Sequence, residues 1–266
     1  MSTPTGAWEV IQVKYAERMT RKSQVFHDYE QHGLPDADLL MDYSFWIARR
    51  GDETVLIDTG YDPAEATWLG EVSTTPVPNA LEVLGIDPLD VTCIVLSHYH
   101  FDHVGHLGLF PNAVVHAGAA EHEHWFGVLR DRGLDGEFVN PDHLAEIERV
   151  ERDGRLRLID APTEVAEGIT VHVVSGHCPG QLLAVIDGQQ RRLILASDVA
   201  HYFEQIEHGW IFFVFSDIDE MSRSFHTLRT LAEREGATVV PGHDPRVRDR
   251  YPAMPGPAGA FASRLA

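Results

Sequence analysis

Ser97-His98-Tyr99-His100-Phe101-Asp102-His103 is the stretch on which the reading of this chain turns. It follows the apolar run Cys93-Ile94-Val95-Leu96, which has the length and β-branched content of a buried strand. His98 and His100 stand two apart, so in an extended turn both imidazoles can point to one side. Asp102 and His103 come one tight turn later and can face a second ion. Imidazole nitrogen with carboxylate oxygen, and no thiolate, suits zinc, with iron, manganese or cobalt as the other candidates. A single histidine pair in a surface loop would carry little weight. Here the pattern extends well beyond one loop.

Working outward, strand after strand ends in a polar loop that bears His or Asp. These loops are Ile57-Asp58, Val174-Ser175-Gly176-His177, Ala196-Ser197-Asp198 and Val240-Pro241-Gly242-His243. Rigid strands that deliver side chains from their ends are the usual way for a sheet protein to preorganise a site. The chain has 16 histidines, an unusual number, and five of them (His98, His100, His103, His177 and His243) fall in these loops and the opening stretch. Expected strands are Ala7–Val13, Tyr43–Ala48, Thr54–Ile57, Thr92–Leu96, Ala113–His116, Leu156–Ile159, Thr170–Val174, Leu182–Ile186, Arg192–Ala196 and Thr238–Val240. Expected helices are Asn79–Leu84, Ala117–Leu129, Pro141–Arg149 and Asp217–Glu235. The last carries Met221, Phe225, Leu228 and Leu231 at helical spacing, with Asp217 as its N-cap.

The 266 residues show no internal repeat and no dividing linker, so one domain spanning 1–266 is expected, with 252–266 as a loose C-terminal tail. A net charge of −20 repels phosphate backbones, which argues against nucleic acid or polyanionic substrates. No apolar run reaches the ~18 residues of a membrane span. Met1 to Tyr15 has no apolar core of a signal peptide, so the cytoplasm is the expected compartment. Two cysteines, Cys93 and Cys178, make no disulfide framework; Cys93 reads as a core residue. A homodimer is left open.

The HxHxDH motif, preceded by Leu56-Ile57-Asp58-Thr59-Gly60 and followed by Gly176-His177-Cys178-Pro179-Gly180, Ser197-Asp198 and Pro241-Gly242-His243, resembles the metallo-β-lactamase superfamily. Order and spacing match from about Tyr43 to Tyr251. The resemblance implies an αββα sandwich, in the α/β class, with two divalent metals at one edge between the sheets. It implies that His98, His100 and His177 hold one ion, that Asp102, His103 and His243 hold the other, and that Asp198 bridges them. Asp58 would orient a ligand histidine. Two divalent cations ~3.5–4 Å apart activate water near neutral pH. No serine nucleophile elbow is present to offer another route.

Within the superfamily the chain is most similar to the N-acyl-homoserine lactonase branch. The stretches that carry this are Asp42-Tyr43 through Asp58-Thr59-Gly60-Tyr61, the His98–His103 core, and Ser197-Asp198-Val199-Ala200-His201-Tyr202-Phe203-Glu204. The implied activity is hydrolytic opening of a small lactone, an N-acyl homoserine lactone among the candidates, which would make the protein a quorum-quenching enzyme. Another ester, thioester or cyclic amide at the same site is the alternative, and a degenerate ligand-binding sensor a third reading. Asp102 or Asp198 would shuttle the proton. The expected substrate is small, uncharged or weakly charged, and partly apolar.

The chain departs from the branch in two places. Many of these lactonases carry a substrate-contacting tyrosine three residues after the bridging Asp; here that position is His201, with Tyr202 one later. Either would then stabilise the developing oxyanion. Cys178 stands beside His177 where threonine is common, and is expected to pack rather than ligate. His122 and His124, with Trp125 and Phe126, sit on an expected helix that lines a pocket or faces solvent. Trp210–Phe215 is expected to be a core strand, its edge forming an apolar wall. Phe203, Trp125 and Trp210 are expected near the substrate.

Overall fold

Residues 6–62, 72–128 and 138–266 are described in the computed structural model. The alternation of side chains along its strands shows how the layers form. Thirteen strands are present among the described residues: β1 (Glu9–Arg21), β2 (Asp38–Arg50), β3 (Glu53–Ile57), β4 (Ser73–Thr74), β5 (Cys93–Val95), β6 (Val114–Gly118), β7 (Leu156–Ile159), β8 (Thr163–Ala166), β9 (Ile169–Val174), β10 (Gln181–Asp187), β11 (Arg192–Ser197), β12 (Thr238–Pro241) and β13 (Ala262–Arg264). One sheet runs β13-β1-β2-β3-β5-β6-β7, with β4 paired to β1; the other runs β12-β11-β10-β9-β8.

The central strands are covered on both faces, so β10, β11 and the inner part of β2 are apolar at nearly every position, as such strands must be. In β2, Trp46 and Ala48 face one way and Phe45 and Ile47 the other. In β10, Leu182, Ala184 and Ile186 oppose Leu183 and Val185. The set with Trp46, Val55, Ile57, Val95, Leu182, Leu193 and Leu195 forms the core between the sheets. The opposite set meets the outer helices, among them α2 (Val77–Leu84), α5 (Pro141–Arg152) and α7 (Ile218–Glu235). Helices outside and two sheets inside make the expected αββα sandwich. The expected N-cap is present: Asp217 accepts from the Glu220 backbone N–H at 2.9 Å. No helix among the described residues is long and apolar enough to cross a membrane.

Four expectations change. The strands β1 and β2 run 13 residues each: β1 continues past Val13 to Arg21, and β2 begins at Asp38, well before Tyr43. They continue through polar positions because each pairs the other, across a register shift between Lys14 and Ala16. The segment 252–266 is not loose: β13 pairs with β1, Val10 N–H donates to Ala266 O at 2.9 Å, and Leu265 and Ala266 are buried. Trp210–Phe215 is no strand. It makes a single bridge, Phe212 to Phe26, and then turns toward the loop that carries His177.

The fourth concerns Ala117–Leu129. Strand β6 continues to Gly118, α4 covers only Ala119–His122, and a π-helical turn covers Glu123–Val128; Leu129 lies outside the described residues. Gly118 explains the late start. A Cβ there would meet Gly180 O at 1.8 Å, so the two glycines let the β6 end and the His177 loop close on each other.

Candidate metal centre

Five strand ends deliver the site. Asp58 follows β3, His98 to His103 follow β5, His177 follows β9, Asp198 follows β11 and His243 follows β12. Two of the corners are strained: Asp58 has φ +64° and Ser197 φ +46°, left-handed conformations uncommon for residues with a side chain. They are tied to each other. Ser97 N–H donates to Asp58 Oδ1 at 2.7 Å, and the Ser97 and Ser197 hydroxyls lie 2.9 and 3.2 Å from Asp58 Oδ2.

The histidines are held from behind. His103 Nδ1 donates to Asp58 Oδ2 (2.7 Å), His177 Nδ1 to Val214 O (2.8 Å), and His243 Nδ1 to Asp42 O (2.6 Å); His98 Nδ1 lies 3.0 Å from Ser97 Oγ. One ring nitrogen of each is thus occupied, which fixes the tautomer and leaves Nε2 for the interior. There the Nε2 atoms of His98 and His177 lie 3.1 Å apart. Asp198 sits between two groups of rings. Its Oδ2 is 3.4 Å from His177 Nε2 and 3.9 Å from His98 Nε2. Its Oδ1 is 3.0 Å from His243 Nε2 and 3.4 Å from His103 Nε2. Asp102 Oδ2 closes the second group at 3.5 Å from His103 Nε2 and 3.8 Å from His243 Nε2.

Burial and charge set the protonation. Burial first, then the neighbouring imidazoles, lowers His98 and His100 well below the usual histidine range, and burial brings His177 to about 4. These three are neutral lone-pair donors. Burial opposes charge on His103 and His243 as well, but Asp102, Asp58 and Asp198 around the first, and Asp198 and Asp102 around the second, raise both. Against burial, His103 holds Asp102 at about 2, while His243, His201 and His103 hold Asp198 well below the carboxylate range. Closely spaced buried carboxylates of this kind call for a cation. His103 Nε2 is a buried nitrogen without a hydrogen-bond partner. Borderline-soft nitrogen and hard oxygen donors within 4.8 Å of one another fit divalent metal ions.

The structure brings His98, His100, Asp102, His103, His177, Asp198 and His243 together. His201 joins them: its Nε2 lies 2.9 Å from Asp198 Oδ2, and its ring stacks on Phe212 at 3.8 Å. Tyr202 does not. Its hydroxyl donates to Leu40 O (3.3 Å), its ring packs on Phe26, and its backbone caps α6 (Phe203–His208). Successive residues leave the chain in different directions, so only one of the pair can face the metals. Cys178 lies closer than a packing residue need be, with Sγ 3.3 Å from His100 Nε2.

A cleft opens over these residues, walled by Val25, Met41, Phe101, Phe138, Phe212 and Phe213, the apolar lining with a few convergent polar groups that small-molecule sites present. A second lobe, sharing His100 and His177, is lined by His124, Trp125, Cys178 and Pro179. Trp125 therefore borders the site. Phe203 does not, being in the inter-sheet core beneath Arg250, and Trp210 stacks on His32 instead. His122 bonds to the Tyr99 hydroxyl (3.2 Å). Arg18 and Tyr43 also line the cleft. From the sequence Arg18 has no part and Tyr43 enters only within the resemblance, without a site role, because a lone arginine and a tyrosine on paired strands look like ordinary sheet residues.

The family model of the metallo-beta-lactamase superfamily matches residues 38–243. The chain belongs to that superfamily. Among its relatives, the N-acyl homoserine lactonase AttM of Azorhizobium caulinodans is 37% identical over 193 residues, which is 66% of this chain and 66% of that protein, just under two thirds of each. The crystal structure of a quorum-quenching N-acyl homoserine lactone hydrolase superposes with a TM-score of 0.76 at 21% identity, covering 96% of this chain and 99% of that one. The dizinc quorum-quenching lactonase AidC, in complex with a product, gives 0.71 at 18% identity, over 92% and 90%.

Proposed function

We propose that this chain is a dinuclear metal-dependent hydrolase that opens a small lactone, an N-acyl homoserine lactone being the substrate of its relatives. The observation that carries the reading is Asp198, whose two oxygens are divided between His98 and His177 on one side and His103 and His243 on the other. A carboxylate so placed suits a bridge between two ions. His98, His100 and His177 would hold one and Asp102, His103 and His243 the other. Zinc is the metal of choice, as in the dizinc relative, and the cytoplasm the compartment. The completeness of the donor set argues against a ligand-binding sensor with a dead site.

Two divalent cations, when bound, supply Lewis-acid polarisation of the carbonyl and water made acidic near neutral pH. The chain does the rest. The apolar walls at Val25, Met41 and Phe212 bury the substrate and exclude bulk water. His201 steadies Asp198 through Nε2–H. Because burial keeps its pKa low, the ring is neutral and its Nδ1 is left as an acceptor. It is therefore a positioning residue rather than the oxyanion donor expected from the sequence. Ring opening breaks the acyl C–O bond; water gives its oxygen to the carbonyl carbon and one proton, by way of the Asp102 carboxylate in the cleft, to the departing alkoxide. The test is a panel of lactones, aryl esters, thioesters and β-lactams with metal-reconstituted protein, alongside elemental analysis. Lactones should be the best substrates, with close to two ions per chain. A β-lactam as best substrate, or one ion or fewer, overturns the reading.

A further inference from the structure

Arg18 is the only arginine or lysine among the described residues that line the cleft, in a chain with a net charge of −20. Glu17 and Asp42, opposite each other in β1 and β2, stand on the other face of the strands, where Glu17 pairs with Lys14 at 2.7 Å and Arg248 at 3.5 Å and Asp42 with Arg248 at 2.9 Å. The carboxylates that share the cleft with Arg18 are Asp102 and Asp198, which stand among the histidines of the candidate metal centre. The guanidinium is left with two neutral acceptors: the Tyr43 hydroxyl, 2.7 Å from Nε, and the Met41 sulfur, 3.7 Å from an Nη. A thioether is a weak acceptor and satisfies little of a group with five N–H donors.

The pairing of β1 with β2 dictates this arrangement. Arg18 sits opposite Met41 and Ala16 opposite Tyr43, so Arg18, Met41 and Tyr43 share one face at the cleft. Tyr43 is a donor as well. Having accepted from Arg18, its phenol has no acceptor for its own proton among the described residues. Its ring meets His243 edge-on at 5.3 Å, which places both donors beside the candidate metal centre. Val25, Met41, Phe212 and Phe213 line the cleft with them, and these apolar side chains reduce the competition from water for an oxygen that reaches the two donors.

We infer that Arg18, with Tyr43, is a specificity-determining pair that grips a carbonyl oxygen on the part of the substrate beyond the scissile ring, selecting lactones that carry an acyl-amide arm over plain alkyl lactones. This rests on the lactonase reading and refines it. Reaction at the ring needs only the metal centre. The pair acts on the arm, and so governs KM and preference. A charge-assisted hydrogen bond in a dry pocket commands about a tenfold to hundredfold preference.

The experiment compares kcat/KM for N-hexanoyl homoserine lactone and for an α-alkyl-γ-butyrolactone of equal length without the amide, using metal-loaded wild type, Arg18→Met, Arg18→Lys and Tyr43→Phe. The wild type should favour the amide-bearing lactone. In Arg18→Met the ratio should fall about tenfold or more, mainly through KM, with metal content kept. Arg18→Lys should recover part of it, and Tyr43→Phe should lower it less. Calorimetry with the matching N-hexanoyl lactam, which shares the arm, should show weaker binding to Arg18→Met by a similar factor. A ratio within about twofold of wild type in Arg18→Met, with unchanged lactam affinity, overturns the inference while leaving the lactonase reading intact. If the wild type opens neither lactone, the lactonase reading itself fails and the inference falls with it.

Discussion

His103 Nδ1 donates to Asp58 Oδ2 across 2.7 Å, with both side chains closed off from solvent. Asp58 accepts at the same time from Ser97 N–H at 2.7 Å, so one carboxylate orients a ligand ring and anchors the corner from which His98 departs. It touches no substrate. Its work is to keep His103 in the tautomer that presents Nε2.

Asp58→Asn preserves size but turns an acceptor oxygen into a donor that faces His103 Nδ1–H. The variant should fold, with metal affinity about 10–100-fold weaker, as read by competition against a chelator. Retention of wild-type affinity would mean that Ser97 and Ser197 suffice to orient the ring.

Asp198→Ala removes the carboxylate shared between the two histidine groups. It should bind fewer than two ions and lose hydrolysis by at least ~10³, a loss of about 4 kcal/mol of transition-state stabilisation. Loss of turnover without loss of an ion would assign Asp198 to proton transfer alone.

Much of this site could be read in the chain because its donors are local. His98, His100, Asp102 and His103 lie within a single loop, and each other ligand follows an apolar run that can only be a strand. What escaped notice depends on tertiary pairing. The C-terminal segment looks loose by composition, yet its backbone completes β1. Trp210–Phe215 has a strand's composition, but Phe213 N–H and Ile211 O pair with the neighbourhood of Phe26, and Val214 O is drawn to His177. Arg18 resembles a solvated strand residue until the β1–β2 register turns it, with Met41 and Tyr43, toward the cleft.

His201 and Tyr202 are adjacent but point to different places, and their variants should separate cleanly. Tyr202→Phe loses one hydrogen bond to Leu40 O, worth about 1 kcal/mol of stability, with kcat unchanged. His201→Ala should lower kcat by about 10–10², since Asp198 loses its lateral support, while two ions remain bound. A kcat effect confined to Tyr202→Phe would bring back the phenol as substrate donor and refute the positioning role of His201.

Glu121 offers a prediction outside the metal chemistry. It is fully buried, and its Oε1 accepts from Tyr99 N–H at 2.8 Å and from Trp125 Nε1–H at 2.7 Å. Burial pushes its carboxyl up from 4.5 to about 7, against the pull of those two hydrogen bonds. Between these values the folded chain keeps a proton that the unfolded chain has released. Stability therefore falls as pH rises through that window, and the loss is complete above about 7. Glu121→Gln keeps an oxygen for both donors and cannot ionise. Denaturant titrations of the metal-loaded proteins from about pH 5 to 8 should show the variant gaining on wild type by roughly 2–3 kcal/mol, mostly below pH 7. A stability difference that does not change with pH would show that Glu121 ionises as readily in the folded chain as in the unfolded one.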